Sequence, residues 1–276
     1  MRGASITAEA PLKFKTNILQ AYICRAPLAL ALERTVECRI FETLSFERPI
    51  LDLGCGEGMF ADVLFAEPID TGVDPDPGEI ALARTTGAYL ELLECYGAAI
   101  DKPDASYRTV FANSVLEHIP ELRPVLREAY RLLAPGGHLY FTVPSRNFER
   151  YTTTNLLLET LGAEDLAARF RVFFNKFWAH YHCYSVEEWS ETAREAGFEV
   201  TDAYSYNPRF NCLLNAALTP VAFPNKLIKN STGRWFLFPG LRALSASFLS
   251  AICAPLLRGA EGARDGGLVF VALRKA

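Results

Sequence analysis

Between residues 49 and 143, short apolar runs alternate with helix-patterned stretches, and this rhythm restricts the fold more than any other feature. "PILDL" (49–53), "DTGVD" (70–74), "AYLELL" (88–93), "TVFANSV" (109–115) and "HLYFTV" (138–143) have the length and apolar character of buried strands. Residues 57–66, 78–85 and 121–134 read as helices between them, the last ended by "PGG". Strands joined through helices pair in parallel, with helices covering both faces of the sheet. "FEVTDAYSY" (198–206) and "GGLVFVALRKA" (266–276) add a sixth and a seventh strand. The expected architecture is α/β, a doubly wound, seven-stranded, mostly parallel sheet with helical insertions.

Outside this core, residues 16–47 carry helical spacing broken at Pro27, which cannot continue a helix without losing a backbone bond. Residues 155–180 read as helical. "SVEEWSETAREAGF" (185–198) is a helix whose Ser185 and Glu188 have capping-box spacing. About 60 residues separate strands six and seven, too many for a bare loop, so they must hold structure of their own. The chain divides into an N-terminal helical cap (1–48), a core (49–206 with 266–276) and an apolar, basic helical insertion (207–265).

Within the core, "LDLGCGEGMF" (51–60) turns a strand into a helix through alternating glycines. Such backbone approaches a ligand closely and presents free N–H groups. Gly54, Gly56 and Gly58 form G-x-G-x-G, with Met59 in place of the third glycine of a dinucleotide fingerprint. The Lys-Ser/Thr of a P-loop is missing. Glu57 at the turn would repel a pyrophosphate but tolerate a cationic ligand. Asp74, closing strand two, is suited to a ribose diol. These residues point to an adenosine that carries no phosphate.

With "GVDPD", "FANSVLEHIP", "REAYRLLAPGGHLYFTVPS" and "HCYSVEEWSETAREAGFEV" in order along 49–206, the sequence resembles the class I S-adenosylmethionine-dependent methyltransferases, in particular the methyltransferase type 11 group. The resemblance implies S-adenosylmethionine as cofactor. It places Asp52, Gly54, Gly56 and Gly58 along the methionine side, Asp74 on the ribose, and Asn113 and Ser114 between methionine and acceptor. It departs at adenine: Tyr96 or Gly97 stands where relatives often carry an acid, and "SYR" (106–108) replaces "SFD". Either backbone groups bind adenine, or the alignment shifts there.

A sulfonium methyl is already activated, so positioning supplies most of the catalysis; a hydroxyl or carbon nucleophile still needs a base. His118 after strand four, and His180 and His182 in "AHYHCYS", fall at the carboxyl edge of the sheet, where ligands bind. They are the candidate catalytic residues. His180 and His182 share a face if extended, but no third ligand of matching spacing is evident, and no metal is expected.

Two segments should select the acceptor. In "DLAARFRVFFNKFW" (165–178), Leu166, Phe170, Phe173, Phe174 and Phe177 share a helical face, expected to pack on the core. Residues 203–260 contain Arg209, Lys226, Lys229, Arg234, Arg242 and Arg258 without one Asp or Glu, although the chain's net charge is −4. Their apolar stretches, "CLLNAALTPVAF" and "LRALSASFLSAICAPLL", read as too short to span a bilayer but right for helices lying in its interface. A buried cap or a dimer interface is the competing reading. The expected activity is methyl transfer to a hydrophobic or lipid-linked small molecule, with peripheral membrane contact through 207–260 and no nucleic-acid partner. A soluble sugar or polyketide-type acceptor, or a non-catalytic S-adenosylmethionine-binding partner protein, are the alternatives. Seven scattered cysteines and the lack of a signal-like apolar run near the start fit a cytoplasmic protein on the inner face of the membrane.

Overall fold

A computed structural model describes residues 12–276; the first eleven residues, part of the expected N-terminal cap, lie outside the described residues. Seven strands form one sheet: β1 (Ile50–Leu53), β2 (Ile69–Asp74), β3 (Tyr89–Glu94), β4 (Tyr107–Asn113), β5 (Leu133–Pro144), β6 (Glu199–Tyr206) and β7 (Leu268–Arg274). Their order is β3-β2-β1-β4-β5-β7-β6. The first five run parallel, and β7 inserts antiparallel between β5 and β6.

Successive residues of each strand serve opposite faces, as the two-residue period of a strand requires. Ile50, Phe111, Tyr140 and Phe270 join one core cluster. Their neighbours Leu51, Val110, Leu139 and Val271 join the other. Helices α1 (Ile18–Arg25), α2 (Leu28–Phe41) and α3 (Met59–Leu64) cover the first face. Helix α4 (Pro77–Thr86) packs beside β3, and α5 (Leu122–Leu132) covers the second face. The expected helix over 155–180 is two helices, α6 (Thr153–Thr160) and α7 (Glu164–Trp178), parted at Gly162, whose φ of 71° no continuing helix accepts. Helix α8 (Val186–Glu195) starts on the expected capping box: Ser185 Oγ accepts from Glu188 N at 3.3 Å, and Glu188 Oε2 accepts from Ser185 N at 2.8 Å.

The segment after β6 folds into a helical hairpin, α9 (Arg209–Thr232) and α10 (Pro239–Cys253). Helix α9 continues through Pro220 and Pro224, each of which removes a backbone donor, and so runs past the expected apolar stretch. The run Pro239–Leu257, continued past α10 by a 3-10 turn, has 19 residues and is long and apolar enough to cross a membrane by length and composition. That is longer than the sequence reading allows. Here it lies along α1 instead, with Ala246 and Cys253 buried and Arg242 Nε donating to the Ile23 carbonyl at 2.9 Å. Helix α9 lies along α2. The N-terminal helices and the hairpin therefore form one layer.

Candidate active site

The carboxyl ends of β1, β2, β3 and β4 deliver Asp52, Asp74, Glu94 and Asn113 along one edge of the sheet. At the turn after β1, Gly54 has a φ of 82°, and a Cβ there would stand 2.4 Å from Val115 Cγ1. Only glycine lets this turn pack under the loop that follows β4. Gly56 has a φ of 50°, a Cβ there would meet Glu79 Oε2 at 4.0 Å, and its N–H donates to Asp74 Oδ2 at 2.9 Å. Asp74 Oδ1 accepts from Asp76 N at 2.9 Å, so the carboxylate is oriented through both oxygens. Gly58 precedes the first turn of α3.

Asp52 is buried, and its Oδ2 accepts from the Tyr89 hydroxyl at 2.7 Å. Burial pushes its carboxyl up to about 7, with the Tyr89 hydrogen bond opposing and the Asp74 charge adding. Two carboxyls across a glycine turn suit a ligand with an ammonium and a diol, and oppose a phosphate. Glu57, read from the sequence as a carboxylate that a cationic ligand tolerates at the turn, is engaged by the hairpin. The Trp235 indole donates to its Oε1 at 3.0 Å, and Lys229 Nζ lies 3.4 Å from it. Lys229 also contacts Glu79 at 3.0 Å. A cavity of about 240 Å³ beside this contact is lined by Glu57, Met59, Leu82, Arg234, Trp235 and Phe236.

After β4, Ser114 has a φ of 52°, unusual for a residue with a side chain and held in place by its partners. Its N–H donates to the Thr142 carbonyl at 2.9 Å. Its hydroxyl donates to Glu37 Oε1 at 3.2 Å and accepts from Arg34 Nη1 at 2.6 Å. Asn113 donates to Glu37 Oε2 at 3.0 Å and accepts from Thr142 Oγ1 at 2.9 Å. Arg34 at 2.6 Å and the Tyr206 hydroxyl at 3.1 Å complete four donors around Glu37, which is fully buried on α2. Sequence reasoning missed Arg34 and Glu37. The signal was present: Arg34 and Glu37, three apart, are two of four charged residues in the mostly apolar helix "LALALERTVECRIF".

Of the three candidate histidines, two come together. The His118 and His180 rings lie 5.2 Å apart, with Phe148 and Phe174 against His180. His118 Nδ1 faces the Ala179 carbonyl at 3.2 Å, so that nitrogen carries the proton, leaving Nε2 with a free lone pair 3.7 Å from Glu117 Oε1. Nδ1 of His180 and Oε2 of Glu117 are buried without a partner among the described residues. Burial lowers His118, lowers His180 to about 4, and raises Glu117 to about 8. Burial thus favours the neutral form of all three groups. One ligand atom from each of the three falls within 4.8 Å of the others, a grouping with Glu117 and not with His182. His182 is held on both nitrogens, by the Tyr184 hydroxyl at 2.8 Å and the Ile119 carbonyl at 2.9 Å, and braces the loop.

A family model described as a methyltransferase domain matches residues 21–203. The chain belongs to the class I S-adenosylmethionine-dependent methyltransferases. It is 34% identical over 128 residues to a ubiquinone biosynthesis O-methyltransferase of Vibrio atlanticus, across 44% of this chain and 52% of the relative. The chain thus spans about half the length of that relative. Its fold is similar to a SAM-dependent methyltransferase of Thermotoga maritima (TM-score 0.54, 19% identity, 90% of this chain and 92% of the other). It is also similar to Haemonchus contortus phosphoethanolamine N-methyltransferase 2 with S-adenosylhomocysteine bound (TM-score 0.52, 18% identity, 93% of this chain and 57% of the other). S-adenosylmethionine is the cofactor of this family. Asp52, Asp74 and the glycine backbone between them fit its cationic and diol-bearing parts.

Proposed function

We propose that the chain transfers a methyl group from S-adenosylmethionine to a hydroxyl oxygen of a hydrophobic small molecule. When bound, the cofactor supplies an electrophilic methyl and leaves as a neutral thioether. The glycine turn with Asp52 and Asp74 holds it, and Asn113 and Ser114, fixed through Glu37, set the boundary between cofactor and acceptor. His118 Nε2 takes the acceptor proton as the oxygen attacks and releases it to solvent after turnover, while His180, unprotonated beside it, adds no opposing charge. The observation that carries this reading is the approach of the His118 and His180 rings to 5.2 Å, with His180 Nδ1 buried and unpartnered among the described residues. Phe148 and Phe174, against His180, supply the apolar wall. The likeness to an enzyme named for ubiquinone biosynthesis supports a hydrophobic acceptor. Peripheral contact of residues 207–260 with the inner face of the membrane belongs to the same reading.

The test is S-adenosylhomocysteine release with a panel of amphiphilic phenols, run beside soluble sugars. Replacing His118 with Ala is expected to lower kcat by about 10²–10⁴-fold with cofactor affinity unchanged. Full turnover in a His118→Ala/His180→Ala double variant would overturn the assignment. Turnover of sugars alone would replace the acceptor class, and cofactor binding without turnover would favour a partner protein. The gathering of Glu117, His118 and His180 favours one second reading, in which they hold a divalent cation that binds the acceptor. Loss of turnover in chelator, restored by added metal, would select it.

A further inference from the structure

The outer face of α10 carries an apolar stripe that nothing among the described residues covers. Leu241, Leu244, Phe248 and Ile252 recur at intervals of three and four, which puts them on one side of the helix, and Leu237 precedes its first turn. They are 51–82% exposed, and Phe238 beside them is 70% exposed. The opposite side of the same helix already packs on the protein through Ala246 and Cys253. Core formation therefore does not explain the stripe, and contiguous apolar surface of this kind marks an interaction site. Arg234 stands exposed before it and Arg258 after it.

We propose that this face of α10 seats the protein on an anionic lipid surface, the helix lying in the plane of the interface and not across the bilayer. Charge decides the occupant. Residues 203–260 contain six cations and no acid. A two-fold contact with a second copy through this segment would bring cations of one copy toward cations of the other, with no carboxylate in the segment to pair them. Anionic headgroups supply that counter-charge, while leucine and phenylalanine enter the acyl boundary below. Orientation follows from packing. Helix α10 is tied to α1 through Arg242, the Gln20–Ser247 hydrogen bond of 2.9 Å and its buried alanine, so spanning would require it to leave the core. The proposal specifies the membrane partner of the reading above and rests on that reading for its purpose, not for its chemistry.

The full-length protein would be sedimented with phosphatidylcholine vesicles, with and without 30% phosphatidylglycerol, at low and high salt. Retention on anionic vesicles, weakened by salt and at least tenfold stronger than on neutral ones, is expected. The Leu241→Ser/Leu244→Ser/Phe248→Ser variant should lose it by tenfold or more. Leu90→Ser, on the far edge strand, should retain it. Calorimetric binding of S-adenosylmethionine by each variant reports that the fold survives, and stands or falls separately from vesicle binding. No retention on anionic vesicles overturns the proposal, as does equal retention by the triple variant. A concentration-dependent dimer, abolished by the triple variant and without vesicle binding, would assign the face to a second copy.

Discussion

At the scale of single residues, Glu37 has the largest structural burden. It is fully buried with four donors directed at it, one of them a guanidinium. Glu37→Ala leaves those donors unpaired and should cost about 3–5 kcal/mol in chemical denaturation, the range for breaking one side of a buried ion pair. A loss below 1 kcal/mol would show that water replaces the carboxylate readily. Glu117 gives a pH signature. Its folded value, about 8, lies above its ordinary 4.5, so its contribution to stability is complete below about pH 4.5 and is lost as pH rises through about 8. His180, lowered to about 4 from 6.5, acts oppositely and costs stability as pH falls between those values. Glu117→Gln should therefore flatten the decline in stability between pH 5 and 8, measured by urea unfolding at several pH values. An unchanged slope would contradict the burial argument.

At the scale of elements, the structure distinguishes what local pattern specifies from what tertiary contact specifies. The capping box at Ser185 was legible because both of its partners lie within four residues; Ser185→Ala is expected to cost about 1 kcal/mol. The five parallel strands and the glycine turn were legible for the same reason, each being an apolar run bounded by its own turn residues. The break at Gly162 was visible in the sequence, but a glycine inside an aromatic helical pattern is ambiguous. The expected aromatic face of α7 divides: Phe170 and Phe174 turn inward while Leu166, Phe173 and Phe177 are exposed. Contacts across 178 residues, such as Trp235 to Glu57, leave no local trace. For that reason the sequence reading placed Glu57 only at the turn, and its tie to the hairpin shows in the structure alone. Lys229→Met should loosen this contact and accelerate chymotrypsin cleavage at Trp235–Phe236 severalfold, followed by gel electrophoresis. An unchanged rate would show that Lys229 does not hold the hairpin.

At the scale of the whole molecule, a cofactor edge set by five parallel strands is roofed by helices from both ends of the chain. The cofactor side was readable because its residues cluster at strand ends in sequence order. The acceptor side was not: Arg34 and Glu37 come from α2, His118 from the loop after β4 and His180 from the end of α7, and only folding brings them together. Everything on the acceptor side presupposes that the turn after β1 and Asp74 bind the sulfonium nucleoside. Isothermal titration of the purified protein with S-adenosylmethionine tests this most directly. The account predicts one site per chain, weakened at least tenfold by Asp74→Ala and by Gly56→Val while the fold remains intact by circular dichroism. Absence of binding, or affinity undiminished in both variants, would contradict it.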